Sequence, residues 1–334
     1  MQIRIFVYLD LYINDKRNIE RWGGRINGVD NKAALVFGGQ GSQFTGMGKR
    51  IYDAFSEARS VFVLASDVVG YDVAKMCFEF SQEELNKTIY CQICTLTVEL
   101  AIYEVFKKRN IPLNAVAGLS LGEYAALVVA GVTDAKTVFA LVNARAKAME
   151  NEVDDNVGNM VAVINLDIEQ VEAICKTFGA GKAAVANYNA FNQVVVSVET
   201  EIFNEFMSAV KSANGRAIPL KVSRPFHHPM MQPAADKFKA NLDDVIFQEP
   251  IVPIYMNVTG EPLSTNDAFS VKLYEQIVKP VQWIKTVQSM RADGIDTFYE
   301  ISPKPTLASF IKNIAERKVK IIDIQTALTS CENT

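Results

Sequence analysis

The chain has 334 residues, 49% of them apolar, with a formal net charge of −4. That composition supports a substantial core, in one large domain or a large domain with an insert, and the acidic balance without a long Lys/Arg block excludes nucleic acid as the main ligand. Five cysteines, Cys77, Cys91, Cys94, Cys175 and Cys331, are odd in number and widely scattered, which suits a reducing, cytoplasmic setting better than a disulfide framework.

The first apolar run, from Ile3 to Ile13, is too short to span a membrane and is interrupted by Asp10. No small-residue cleavage site follows it, so neither a membrane span nor a signal peptide is expected. Polar, basic and glycine-containing residues follow, as in a linker, and residues 1–31 are read as an N-terminal appendage.

The globular pattern begins at Ala33-Ala34-Leu35-Val36-Phe37, a buried-strand run that ends in Gly38-Gly39-Gln40-Gly41-Ser42-Gln43. This loop has neither the Gly-Lys-Ser/Thr of a phosphate loop nor the glycine spacing of a dinucleotide fingerprint. Its amides fit half of an oxyanion hole as well as a plain strand-to-helix turn. Cys91-Gln92-Ile93-Cys94 invites a metal reading, but no second Cys/His pair at ligand spacing supports it; buried thiols on a helix are expected, and no metal. Residues 95–107 and 135–150 are helix-like.

Between them, Ala115-Val116-Ala117 leads into Gly118-Leu119-Ser120-Leu121-Gly122 and then the helix-like Glu123-Tyr124-Ala125-Ala126-Leu127-Val128-Val129. A serine between two glycines on a sharp strand-to-helix turn is a nucleophile elbow: the backbone there is strained and passes close to the next element. The helix that follows turns its N-terminal amides toward the point where an oxyanion develops in acyl transfer.

From residue 159 to 222 the rhythm changes. Residues 160–164 read as a strand, 167–177 as a helix, 183–187 and 193–198 as strands, 200–213 as a helix and 216–220 as a strand. The order βαββαβ is that of the ferredoxin-like split unit. The expected fold is therefore α/β: a hydrolase-like core with a parallel sheet, residues 32–158 and 223–334, and an inserted ferredoxin-like subdomain, residues 159–222, with the substrate cleft between them.

The two histidines of the chain, His227 and His228, lie in Pro225-Phe226-His227-His228-Pro229-Met230-Met231. A serine nucleophile needs a nearby base, so if Ser120 is one, its base is one of this pair. Beyond them, residues 236–242 are expected to be helical, 252–257 and 297–301 to be strands, and an amphipathic helix to begin at Thr306.

Taken together these segments resemble the malonyl-CoA:acyl carrier protein transacylase family, from about Lys32 to about Arg317. Its Phe-Pro-Gly-Gln-Gly-Ser-Gln loop is matched by residues 37–43, its Gly-His-Ser-Leu-Gly-Glu elbow by 118–123, its arginine helix by Leu141-Val142-Asn143-Ala144-Arg145-Ala146-Lys147, its Pro-Phe-His-Ser-Pro-x-Met by 225–231 and its Gln-Leu-x-x-Pro-Val-x-Trp by 276–283. The resemblance implies Ser120 as nucleophile, His227 as base, Gln276 orienting the histidine through a main-chain carbonyl, the amides of Gln40 and Leu121 as oxyanion hole, and Arg145 holding a malonyl carboxylate. Phe226 and Leu121 match the pattern for malonyl rather than methylmalonyl units. It also implies malonyl-CoA as substrate, a phosphopantetheinylated acyl carrier protein as partner, no bound cofactor and no membrane.

Three departures stand out. Leu119 replaces the usual elbow histidine, Gly38 replaces proline and is expected to loosen its loop, and Ser302-Pro303-Lys304-Pro305 departs from Gly-Pro-Gly-Lys toward polyketide acyltransferases. The rival readings are a trans-acting polyketide acyltransferase, an editing acyl hydrolase that clears carrier proteins, an esterase of the α/β-hydrolase type, and a non-catalytic docking module. The esterase would need an acid partner and an oxyanion loop of its own kind. An editing hydrolase has no use for a buried arginine, and the docking module no use for a filled set of catalytic positions.

Overall fold

The computed structural model describes residues 32–222, 224–263 and 269–329. The expectations for residues 1–31 and for Cys331 lie outside the described residues. The strands are β1 (Lys32–Phe37), β2 (Ala115–Gly118), β3 (Gly158–Ile164), β4 (Ala183–Ala190), β5 (Gln193–Glu199), β6 (Arg216–Pro219), β7 (Ile254–Tyr255), β8 (Pro262–Leu263), β9 (Ile295–Ile301) and β10 (Lys320–Asp323). They form a six-stranded sheet in the order β10-β9-β1-β2-β7-β8 and a four-stranded sheet in the order β4-β5-β3-β6.

The larger sheet is parallel except for β8, which runs antiparallel to β7. β1 shows why its strands read as unbroken apolar runs rather than as alternation. Leu35 and Phe37 pack into one core cluster with Leu121, Tyr124 and Leu127, whereas Ala34 and Val36 pack into a second with Trp283, Val287, Leu307 and Ile311. Both faces are covered, so both need apolar side chains.

Four helices follow β1: α1 (Lys49–Ala54), α2 (Ser56–Val69), α3 (Val73–Glu79) and α4 (Gln82–Leu85). Then comes α5 (Thr88–Phe106), with Gln92, Thr95, Thr97 and Glu99 as fully buried as its apolar residues. α5 starts seven residues before the expected boundary at Thr95, because a helix enclosed on all sides has no polar face to mark its beginning. Among the described residues it is the only helix long and apolar enough to cross a membrane, and it lies inside the core. The remaining helices are α6 (Gly122–Val129), α7 (Ala135–Asn151), α8 (Ile168–Thr177), α9 (Phe203–Ser212), α10 (Gln232–Asp243), α11 (Phe269–Val278), α12 (Trp283–Ala292), α13 (Leu307–Ile314) and α14 (Ile324–Thr329).

The smaller sheet is antiparallel throughout, and its strand order is that of a split βαββαβ unit. One face, with Val161, Val163, Val196 and Val198, packs on Phe206 and Val210 of α9 and Val171 and Cys175 of α8. The other, with Met160, Ala162 and Val195, joins the core of the larger body. The hydrogen bonds Tyr188 N–H to Val281 O (2.9 Å) and Val281 N–H to Ala186 O (2.8 Å) tie the two together through the segment just before α12. The expected strand over 252–257 is cut to β7, since Pro253 has no N–H for a ladder.

Candidate active site

The C-terminal ends of β1, β2 and β9 bring three loops to one edge of the parallel sheet, where open α/β sheets bind ligands. Between β2 and α6 the chain reverses at Ser120, whose φ is 53°. A Cβ on Gly118 would stand 1.9 Å from the carbonyl carbon of Gly122, and one on Gly122 would stand 2.0 Å from Gly38 O, so both positions require glycine. Asn257, just beyond β7, closes the turn. Its Oδ1 accepts from Ser120 N–H at 2.6 Å and its Nδ2 donates to Gly118 O at 2.6 Å, which offsets the strain of a serine in the left-handed region.

His227 meets this serine: Nε2 lies 2.8 Å from Ser120 Oγ. Its backbone is also left-handed, with φ 57°, and its amide donates to Ile277 O at 3.1 Å, so the loop is pinned to the end of α11. Nδ1 lies 2.6 Å from Gln276 O. Only an Nδ1–H can satisfy that carbonyl, which leaves the Nε2 lone pair for the serine hydroxyl. Burial, helped by the Arg145 charge, pushes His227 down to about 4, so the ring is neutral at ordinary pH. His228 is also buried and also pushed down to about 4, but its Nδ1 accepts from Met230 N–H at 3.2 Å within its own turn. The structure brings one histidine of the pair to Ser120 and leaves the other holding the loop.

Arg145 reaches the same hydroxyl from α7, with Nη2 at 3.3 Å from Ser120 Oγ and 3.0 Å from Gln276 Oε1, and Nη1 at 2.8 Å from Gln92 Oε1. Its guanidinium also lies 5.3 Å from the ring centre of Tyr124. The side chain is 1% exposed, and among the described residues its Nε has no partner and no carboxylate forms an ion pair with it. A buried cation held by neutral acceptors at the wall of a cleft is a site for an anion, and a planar carboxylate matches its donor fork.

The cleft is a cavity of about 450 Å³. Ser120, His227, Arg145, Gln40 and Phe226 line it from the larger body, and Met160, Asn187, Asn189 and Val195 from the smaller sheet. Among the described residues the amides of Gln40 and Leu121 make no hydrogen bond to a protein acceptor, unlike that of Ser120. Leu119 adds an apolar wall with Leu307 and Phe310. The loop at Gly38 is not slack: its N–H donates to Ile301 O at 3.0 Å, a bond proline cannot make, and a Cβ at position 38 would lie 2.6 Å from Ser302 Cβ. Two of the departures from the family pattern thus face each other.

Cys91 and Cys94 lie buried on α5, with burial pushing Cys91 up to about 12, so these are inert packed thiols. No group of three or more potential metal ligands occurs among the described residues. Three polar residues of the site were not singled out from sequence: Gln92, Glu123 and Asn257. Gln92 sat inside the Cys-x-x-Cys spacing, where only the thiols drew notice, and Glu123 inside the elbow motif itself.

An acyl transferase domain family matches residues 34–327. The malonyl CoA-acyl carrier protein transacylase of Escherichia coli strain K12 is 37% identical over 286 residues, 85% of this chain and 93% of that protein. The crystal structure of a malonyl CoA-acyl carrier protein transacylase from Clostridium perfringens superposes with a TM-score of 0.84 at 34% identity, covering 90% of this chain and 97% of that one. A malonyl-transacylase solved in complex with its type II PKS acyl-carrier protein superposes with a TM-score of 0.85 at 35% identity, covering 91% and 100%.

Proposed function

The chain belongs to the acyl transferase domain family, and from that premise we propose that it moves a malonyl group from CoA to the phosphopantetheine thiol of an acyl carrier protein through a malonyl ester on Ser120. The observation that carries this reading is one hydroxyl, Ser120 Oγ, lying 2.8 Å from a neutral histidine nitrogen and 3.3 Å from a buried guanidinium that no carboxylate among the described residues touches.

In the first half-reaction His227 Nε2 takes the Ser120 proton as Oγ attacks the thioester carbon. The carbonyl oxygen gains charge and accepts from the N–H groups of Gln40 and Leu121. Gln276 O steadies the Nδ1–H of the imidazolium that forms. The C–S bond then breaks, His227 returns the proton to the leaving thiolate, and CoA departs as thiol. In the second half-reaction the carrier's pantetheine thiol gives its proton to His227 and attacks the ester, and Ser120 recovers its proton as the C–O bond breaks. Arg145 holds the malonyl carboxylate through both halves, and Phe226 beside the base leaves little room for an α-methyl branch. No step calls for a metal or a cofactor.

An editing hydrolase of uncharged acyl chains shares the serine and histidine, but Arg145 disfavours it: such a substrate offers nothing to a desolvated cation. We further propose residues 32–158 and 223–334 as the catalytic body and 159–222 as a subdomain that closes the cleft; the separate core of the small sheet supports this division. Incubation with malonyl-CoA alone is expected to add the mass of one malonyl group to the intact protein, and Ser120→Ala to abolish the addition. An adduct that survives in Ser120→Ala overturns the reading.

A further inference from the structure

Glu123 has no part in the scheme above, yet it is buried at the first turn of α6, three residues after the serine. Its Oε1 accepts from Asn257 N–H at 3.4 Å and its Oε2 from Gln276 Nε2. The same Nε2 donates to Ser120 O at 2.9 Å, while Gln276 Oε1 accepts from Arg145 Nη2 at 3.0 Å. The Gln276 amide therefore stands between a carboxylate and a guanidinium that do not touch.

We propose, resting on the malonyl-transfer reading, that Glu123 is a positioning residue: through the Gln276 amide it fixes and balances Arg145 without occupying the place of the substrate carboxylate, and so sets the preference for carboxylated acyl groups.

A glutamine amide has two ends of nearly equal size, and its orientation follows from its neighbours. Both Glu123 oxygens face N–H donors, Asn257 N–H and the Gln276 amide, so the group draws the NH₂ end and turns the carbonyl oxygen toward Arg145. The amide dipole then runs from carboxylate to cation, and each charge is stabilised at one remove. A carboxylate in direct contact with Arg145 would also stabilise it, but as an internal competitor of malonate. Burial pushes Glu123 up to about 8, against the opposing pull of Gln276, Asn257 and Arg145. A group that ionises around pH 8 carries part of its charge at neutral pH, so its balancing of Arg145 grows as pH rises.

Glu123→Gln is the first test. Its amide cannot accept from both Gln276 and Asn257, so one of the two N–H groups loses its partner. Removing one such buried bond with its charge predicts a fall in malonyl kcat/KM on the order of tenfold to a hundredfold, mostly in KM, with acetyl-CoA acylation falling less than about threefold. Acetylation in the same preparation reports that Ser120 and His227 remain assembled. Glu123→Asp keeps a carboxyl group and is expected to return the malonyl-to-acetyl ratio to within about threefold of wild type even where both rates drop. Gln276→Met cuts the relay while leaving its main-chain carbonyl on His227, and is expected to lower the ratio as much as Glu123→Gln; the double variant should fall no further than either single one. Equal losses of malonyl and acetyl transfer in Glu123→Gln, or an unchanged ratio in Gln276→Met, overturn the inference while the functional reading stands. A wild-type protein that takes up no malonyl group from malonyl-CoA overturns both.

Discussion

The two sheets divide the cleft unequally. The parallel body contributes Ser120 from its strand-to-helix turn, Arg145 from α7 and His227 from a loop pinned to α11, the last two meeting the Ser120 hydroxyl at 3.3 and 2.8 Å. The small antiparallel sheet contributes walls, Met160, Ala162, Asn187, Asn189 and Val195, with no group placed to move a proton. The polar groups that hydrogen-bond around the Ser120 hydroxyl thus come from one region, while the other supplies lining alone.

That comparison breaks if a change in the body spares chemistry. His227→Ala should slow acylation by roughly 10²- to 10⁴-fold, the usual cost of losing a positioned general base. His228→Ala, whose ring holds only its own turn, should cost far less in single-turnover acylation. Equal losses in the two folded variants would erase the distinction between base and loop residue.

Arg145→Ala should remove the partner of the malonyl carboxylate and cost about 2 to 5 kcal/mol in malonyl transfer, with acetyl transfer little changed. The ratio of specificity constants reads it. A parallel fall in both would make Arg145 a structural strut.

The pH profile sharpens the same point. With His227 held near 4, below the ordinary histidine value of about 6.5, the acid limb of kcat/KM should fall near pH 4. The unfolded chain binds protons that the native rings of His227 and His228 refuse, so their stabilisation is full above pH ~6.5 and is lost as pH drops toward the folded values. Malonate on Arg145 offsets a charge that helps depress His227, so the limb in kcat should lie higher than the limb in kcat/KM. Coincident limbs at pH ~6.5 would show a solvated base.

The smallest effect belongs to the other sheet. Asn189 lines the cleft with a buried Oδ1 that has no partner among the described residues. Asn189→Ala should raise KM for CoA and carrier thioesters by a few fold, the worth of one hydrogen bond at about 1 kcal/mol, and leave kcat nearly unchanged. A large drop in kcat would mean that the small sheet takes part in the reaction after all.

The elbow was legible in the sequence because its glycines answer a local steric demand, visible over five residues at Gly118 and Gly122. The split unit was legible because short apolar runs and helix-like stretches follow one another in the order βαββαβ, even though β3 and β5 are apolar on both faces. The Glu123–Gln276–Arg145 relay was not, since it joins positions more than 130 residues apart through polar groups that follow no period. β10 escaped for a related reason: an edge strand of four half-exposed or exposed residues carries no burial pattern.

Gly38 and Ser302 share a single space. Ser302 also spends its hydroxyl locally, donating to Lys304 O at 2.8 Å and Glu300 Oε1 at 3.2 Å. Conversion of a proline-and-glycine pair at these positions into the pair seen here is therefore sterically easier in one order than in the other. Serine arriving first would collide with a ring at position 38, whereas trimming the proline first opens a gap that serine can later fill. The dependence runs one way: glycine at position 38 is compatible with either neighbour, whereas serine at 302 requires that position 38 carry no side chain.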